Sequence, residues 1–582
     1  MIEDVCDLPD GHALSADVCI AGSGAAGITL ALELAGSGLS VLLLEAGGLK
    51  AERKTQRLYE GGVADERLHS PLHRYRQRQF GGTTTIWGGR CVPLDDIDFE
   101  VRDYMPLSGW PIGPEALRPF YPRANELCEA GAFEYRAAQA FKRPLRAMIA
   151  GFSSDHFTTD SLERFSCPTD FGVRYARRLQ DSSNVRVLLH ANVTRLRFHP
   201  DRAAVQSMLV RTIGGKSFTV QADRFVLATG GLEVPRLLLA NSDVWHQGIG
   251  NQHDLVGRYY MCHVAGTVGT LKLTAPASAI WHGYEVSDEG IYCRRRIALT
   301  PQTQRRLGLG NFVARLHHPR ITDPAHRTAV LSALQLAKGL ISYEYGKRLE
   351  PMGLGTWMSH VGNVVRAPGE VIEFGHHLLR DRFLAARKFP SIVVRSSTGH
   401  YSLDFHAEQQ PSATSRVCLT RDTDMFGLPR LNVDWRYTAF DVRTVSEAVK
   451  LFAAAVDTTG IGKLEYDPDS IEVEVARYGA YGGHHLGTAR MGSSPRTGVV
   501  DGDCCVHGLR NLYIAGSAVF PTSSQANPTL TIVALAVRLA AHLRASMTVP
   551  AATLVGETTA APPATESQES MGEQLADMKV EP

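Results

Sequence analysis

The sequence predicts an α/β chain: a doubly wound domain with a parallel sheet, built from both ends of the polypeptide, and between them an α+β domain with a mainly antiparallel sheet. Three observations carry this. First, residues 17–21 (DVCIA) form an apolar, strand-like run; a glycine turn and the helical pattern ITLALELAGSG follow, and LSVLLLEAGG returns as a second strand. Strands this uniformly apolar suit a parallel sheet covered on both faces. Second, NLYIAGSAVF and PTLTIVALAVRLAAHLRASM repeat the strand, turn and helix grammar near the C-terminus. Third, from about 260 to 475 the pattern loosens into short strands and helices with no repeat period.

Taken in order, NVRVLLHANVTRLRFH, AAVQSMLVRTIGG and SFTVQADRFVLATGG alternate between Gly and polar turns and read as strands, with a helix at LEVPRLLLANS. Two further helices are expected at SALQLAKGLISYEYGKRL and AFDVRTVSEAVKLFAAAV. From residue 548 the composition turns to Ala, Pro, Thr, Ser and Glu, with six acidic residues and one Lys after Gly556. Such a segment buries too little apolar area to offset chain entropy, so 548–582 is expected to be a disordered tail.

Composition narrows the function. The chain has 582 residues, 44% hydrophobic and 21% charged, which suits folded globular domains. A net charge of +1 provides no basic field for nucleic acid or an anionic membrane. Ten scattered cysteines without a CxxC pair argue against a disulfide scaffold or a cysteine-ligated metal. The acidic start lacks an apolar export signal, and the best apolar run, Asn527 to His542, is interrupted by Arg538. No membrane span and a cytoplasmic location are the expectation.

Three constellations carry chemistry. Gly22-Ser23-Gly24-Ala-Ala-Gly27 follows a strand and opens a helix. Gly22 permits the tight turn, Gly24 allows backbone to approach a pyrophosphate at the helix N-terminus, and Gly27 lets the helix pack on the sheet. Glu45, at the end of the second strand, is placed to accept a hydrogen bond from a ribose hydroxyl. The glycines recognise an ADP half and do not choose between FAD and NAD. The second constellation runs from Phe80 to Gly89; its Gly82, Thr83, Thr84, Trp87, Gly88 and Gly89 suit backbone wrapped around a flat ligand. The third joins His484 and His485, in GGHHLGTARMG, to Asn527, Pro528 and Thr529. A histidine works as a base near neutral pH, an Asn amide can bond the same substrate oxygen, and Pro528 suits the first turn of the following helix.

Together these segments, with NQHDLVGRYYMCH (251–263) and HAEQQPSATSRVCLTRDTDMFGLPRLNVDW (406–435), resemble the glucose-methanol-choline (GMC) flavoprotein oxidoreductases in order and across most of the chain. The likeness is nearest the branch of pyranose oxidase and related sugar and polyol dehydrogenases, on the ANPTLT helix start and Cys504-Cys505-Val506. The resemblance implies a Rossmann-like FAD-binding domain at 1–260, with short excursions into the other domain, completed by 476–547. It implies a substrate-binding domain at 261–475. It extends the flavin contacts to Val193, Thr229, Gly230, Gly516, Ser517, Asn527 and Thr529. It implies that His484, with His485 as the near rival, accepts the proton of a substrate alcohol, that Asn527 orients the oxygen, and that hydride passes to flavin N5. Some pyranose oxidases attach FAD through a histidine where this chain has Ile86, so the flavin is expected to be noncovalent. The expected substrate is a CH–OH of a sugar, cyclitol or glycoside, with O₂ or another acceptor reoxidising the flavin. A flavin-containing lyase on the same scaffold, or a flavoprotein subunit docking an electron-transfer partner, stands as the alternative.

Four other groups read as structural. Arg74, Arg76 and Arg78 alternate like a solvated strand face, and Arg294, Arg295 and Arg296 read the same way. His376 and His377 would point to opposite sides of a strand, which argues against a metal. Cys504 and Cys505 read as buried, inert thiols.

Overall fold

The computed structural model describes residues 1–338, 352–391, 393, 394, 396, 399–480 and 483–548. Its first sheet contains β1 (Ile2–Asp4), β2 (Ala13–Ala21), β3 (Val41–Leu44), β4 (Val185–Leu189), β5 (Asn192–Phe198), β6 (Val205–Arg211), β7 (Ser217–Leu227) and β8 (Leu512–Ile514). The strand order is β1-β4-β3-β2-β7-β6-β5, and β8 pairs with the far end of β7. Pairing is parallel from β1 through β2 to β7 and β8, and antiparallel from β7 through β6 to β5. β3 and the second half of β2, the near-continuous apolar runs, lie inside the parallel part and are buried on both faces. Of the alternating segments, β5 and β6 form the antiparallel edge, whereas β4 and β7 join the parallel part.

The register positions the site. Ala21 pairs with Leu44 and Leu227, and Leu227 also pairs with Ile514, so β2, β3, β7 and β8 end together at one carboxyl edge. Four connections leave from that edge, starting at Gly22, Glu45, Ala228 and Ala515. In open α/β sheets the crevice beyond such an edge is where ligands bind. Three helices of this half matter to the site: α1 (Ala25–Leu34), α2 (Glu233–Ala240) and α3 (Thr529–Thr548). The Thr529–Met547 stretch is long and apolar enough to cross a bilayer, but it packs along α1 and buries Val533, Ala534, Ala536 and Ala540 in the main core.

A second core lies under a six-stranded antiparallel sheet in the order Gly462–Glu465, Val264–Leu273, His400–Ala407, Phe312–His317, Ile297–Leu299 and Phe157–Thr158. The helix Ala439–Thr458 lays Val445, Val449, Phe452 and Val456 on it. A capping box starts that helix, with Thr438 bonding the Asp441 backbone and the Asp441 carboxylate bonding back.

Several expectations are corrected here. Residues 74–78 form no strand, and Arg76 and Arg78 are nearly enclosed rather than solvated. Arg294, Arg295 and Arg296 are also buried: Arg294 donates to the His282 and Leu316 carbonyls, Arg295 pairs with Glu285, and Arg296 donates to Gln525. His376 and His377 lie on the helix Pro368–Leu378, where His377 pairs with Asp381 one turn on, not on a strand. Where a helix is expected at 332–349, the structure shows a helix Ala329–Leu336 that ends at Ala337; residues 339–349 and the tail beyond 548 fall outside the described residues.

Candidate active site

A cavity of about 1030 Å³ opens at the carboxyl edge of the parallel strands. Every residue expected to contact the cofactor lines it except Gly27. Gly27 sits beneath the turn instead: a Cβ there would stand 1.8 Å from the Gly22 carbonyl oxygen, so α1 can approach the sheet this closely only without a side chain. Gly22 has φ +104°, and its Cβ would collide with the Ala228 carbonyl. Gly24 faces open space, and α1 begins there without a side-chain cap, leaving its first N–H groups to whatever fills the cavity. Glu45 Oε2 accepts from the Ser23 backbone N–H at 3.1 Å and the Ser23 hydroxyl at 2.5 Å, while Oε1 accepts from Gly47 N–H at 2.8 Å. The carboxylate thus ties the two turns together and keeps a lone pair on Oε1 for a ligand hydroxyl.

The second glycine segment folds onto the first. Gly81 N–H donates to the Ser23 carbonyl, and a Cβ on Gly82 would come within 2.8 Å of Gly24 Cα. Trp87 anchors the loop by donating from Nε1 to the Thr169 carbonyl at 2.9 Å. The Thr84 hydroxyl is spent inside the loop, donating to the Gly81 carbonyl and accepting from Phe171 N–H. Val193, Thr229 and Gly230 complete this wall, and the buried Thr229 hydroxyl has no partner among the described residues.

The arginines read as solvated turn out to frame the same wall. Glu233, at the start of α2, lies 3.1 Å from Arg76, 3.5 Å from Arg78 and 3.3 Å from Arg236. Burial alone would raise its pKa; Arg236, Arg78 and Arg76 outweigh that and hold the carboxyl down at about 2. Asp424 takes the other side of Arg236 at 2.7 Å. Three guanidiniums against two carboxylates leave positive charge beside the cavity, and Nε of the lining residue Arg78 is without a partner among the described residues.

At the other end of the cavity, the two histidines turn to opposite sides. The segment 484–491 is held between Met261, which exchanges both backbone bonds with Leu486, and residues 517–519, whose carbonyls accept from Gly487, Ala489 and Met491. His484 meets Asn527, with Nδ2 of the amide 3.2 Å from Nε2 of the ring. Because an amide nitrogen only donates, Nε2 presents its lone pair. Burial, then His263 and Arg90, hold the His484 pKa well below 6.5, so the ring is neutral at neutral pH. The Asn527 carbonyl oxygen is buried without a partner among the described residues.

His485 faces away from Asn527. Its Nδ1 lies 2.6 Å from the Tyr260 hydroxyl, which is 2.8 Å from His69 Nε2, and His69 Nδ1 donates to the Ser70 carbonyl. Burial keeps His69 neutral, with a pKa of about 4, so Tyr260 donates to His69 and accepts from His485. That chain fixes the ring and tautomer of His485. Sequence reasoning missed His263, whose ring meets that of His484 edge-on at 4.8 Å, and His406, stacked on His263. His263 directly precedes the strand Val264–Leu273, and the register of Ala265 with His406 brings the two rings together. No local pattern joins positions 263, 406 and 484; only the pairing of the second sheet does.

Comparison with known proteins agrees with this architecture. Residues 17–377, more than half of the chain, match the family of FAD dependent oxidoreductases, and residues 411–536 match the GMC oxidoreductase family. The chain is a GMC-type FAD-dependent oxidoreductase. A 2-methyl-1,2-propanediol dehydrogenase of Mycolicibacterium austroafricanum is 23% identical over 90% of this chain and 94% of its own length. The fructose dehydrogenase large subunit of Gluconobacter japonicus is 24% identical over 90% and 97%. Among solved structures, a fungal aryl-alcohol oxidase aligns over 93% of this flavoenzyme and all of its own chain, at 16% identity and a TM-score of 0.51, which is a likeness of fold.

The residues fit FAD. The glycine-lined turn, the uncapped start of α1 and the Arg76–Arg78 charge suit a pyrophosphate, and Glu45 offers a hydroxyl acceptor. Gly516, Ser517 and Thr529 border the cavity together with the His484–Asn527 pair. The Ser517 hydroxyl donates to the His485 carbonyl at 2.6 Å, which ties this wall to the histidine segment.

Proposed function

We propose that this flavoenzyme oxidises a CH–OH group of a polyol, sugar or glycoside, with His484 as the base and Asn527 as the group that orients the hydroxyl oxygen. The observation that carries the reading is the His484–Asn527 pair, a neutral imidazole lone pair facing an amide N–H at 3.2 Å in the wall of the cofactor cavity. A hydroxyl seated between them exchanges their mutual bond for two new ones: it donates to His484 Nε2 and accepts from Asn527 Nδ2. As the C–H bond breaks, its proton moves from oxygen to Nε2, and the imidazolium is held beside the developing carbonyl. The FAD supplies the acceptor for the hydride that leaves the same carbon.

The diol and fructose named in the two relatives support a polyhydroxylated substrate. The large-subunit relative favours a second reading of the reoxidation step, in which a partner protein takes the electrons. An anaerobic screen of polyols, sugars and glycosides, following the loss of flavin absorbance, tests the proposal. Bleaching by a member of these classes is expected. Retention of oxidised flavin with every alcohol would favour lyase chemistry on the same scaffold.

A further inference from the structure

We propose that the helical segment at 354–384 is a dimerisation surface, covered by the same face of a second copy of this chain. The inference goes beyond the catalytic reading and rests on a helix packed with its polar side inward and on the apolar side chains left exposed around it. On the helix Leu354–Arg366, the side chains buried by the rest of the protein are His360 and Asn363. His360 Nδ1 lies 3.0 Å from the Ser332 hydroxyl, and Asn363 donates to the Pro324 carbonyl and to Ser332. The apolar side chains of that helix point outward: Leu354, Trp357, Met358 and Val365 are exposed by between 46% and 75%. Leu354, Met358, Val361 and Val365 follow one another at steps of four, three and four residues, the spacing of a seam that another helix fills. The next helix, Pro368–Leu378, and its continuation Leu379–Leu384 bury no side chain fully and leave Ile372, Leu379, Phe383 and Leu384 exposed.

An isolated exposed leucine needs no explanation, but eight large apolar side chains within 354–384 make a patch that soluble monomers rarely carry. Their exposed area is on the order of 1000 Å², comparable to the roughly 800 Å² that each partner contributes to a standard protein interface. Three occupants can be weighed. Transient electron-transfer partners use smaller interfaces, at the low end of the size range. A bilayer surface favours helices with Lys and Arg along the polar side, but here the exposed Glu370 and Glu373 offset Arg366, and Arg380 pairs with Asp381. A second copy meets the area, the apolar character and the seam together, because a two-fold contact sets each pair of helices against its twin.

The test is sedimentation velocity and light scattering on the full-length, FAD-loaded protein, across a micromolar concentration series. The wild type should be a dimer. The triple variant Leu354→Gln, Met358→Gln, Val365→Thr should dissociate, with the dissociation constant raised at least about 100-fold, because central apolar anchors carry most of an interface's energy. Unchanged flavin absorbance and far-UV circular dichroism will show that the variant is folded. A wild-type monomer at every concentration would overturn the proposal, whether or not it floats with anionic vesicles. So would a triple variant that remains as dimeric as the wild type, since the copies would then meet elsewhere.

Discussion

Replacing His484 by alanine removes the lone pair that faces Asn527 and leaves the amide in place. An alcohol gives up hydride slowly while its proton stays on oxygen, and a positioned base contributes about 10²- to 10⁴-fold. At about 1.4 kcal/mol per decade, this corresponds to roughly 3 to 5 kcal/mol of barrier. Because Asn527 still holds the oxygen in the variant, the loss reflects the base itself. Stopped-flow flavin reduction under anaerobic conditions should therefore slow by at least about 100-fold with FAD retained. His485→Ala is the control. It empties one side of the Tyr260 hydroxyl, which keeps its bond to His69, so flavin reduction should change by less than about tenfold. The pH profile is a second check. The base must be unprotonated, and burial, then His263 and Arg90, depress its pKa, so the wild-type rate should stay flat below pH 6.5 and fall only in more acid solution. A larger loss in His485→Ala than in His484→Ala, or an acid limb centred above pH 6.5, would refute the assignment.

Three further outcomes are expected. Gly27→Ala forces a Cβ to within 1.8 Å of the Gly22 carbonyl, so α1 must shift; a stability loss of about 1–3 kcal/mol and a lower flavin-to-protein absorbance ratio should follow, and full occupancy with unchanged stability would count against the close packing. Glu233→Gln leaves Arg76, Arg78 and Arg236 buried together, with Asp424 answering only Arg236; urea unfolding should register a loss of about 3–5 kcal/mol, and a change below about 1 kcal/mol would mean that solvent already screens the cluster. Acid precipitation should release the flavin into the supernatant, because Ile86, partly exposed in the cavity wall, has no nucleophilic atom to hold it; a yellow pellet would reveal another attachment.

By itself, the sequence determined the parts whose physics is local. A glycine turn between an apolar strand and a helix has few other uses, so Gly22, Gly24 and Gly27 could be assigned to the cradle from spacing alone. The paired β2 and β3 and the helix α3 follow from apolar runs of the right period, and GGHHLGTARMG placed a histidine beside the ANPTLT helix start through its likeness to a family. What local pattern could not carry was direction and partnership across the chain. Alternation made Arg76 and Arg78 look solvated, yet they are largely enclosed, because Glu233, more than 150 residues away, pairs with both. The His484–Asn527 contact spans 43 residues, and His263 reaches the same place from the start of the second sheet. A strand register decides such neighbours, and register is fixed by long-range pairing that no short window of sequence contains. The polar-inward helix Leu354–Arg366 is the same lesson in reverse. Its period announces an amphipathic face, but only the packing of His360 and Asn363 against Ser332 tells which side faces inward.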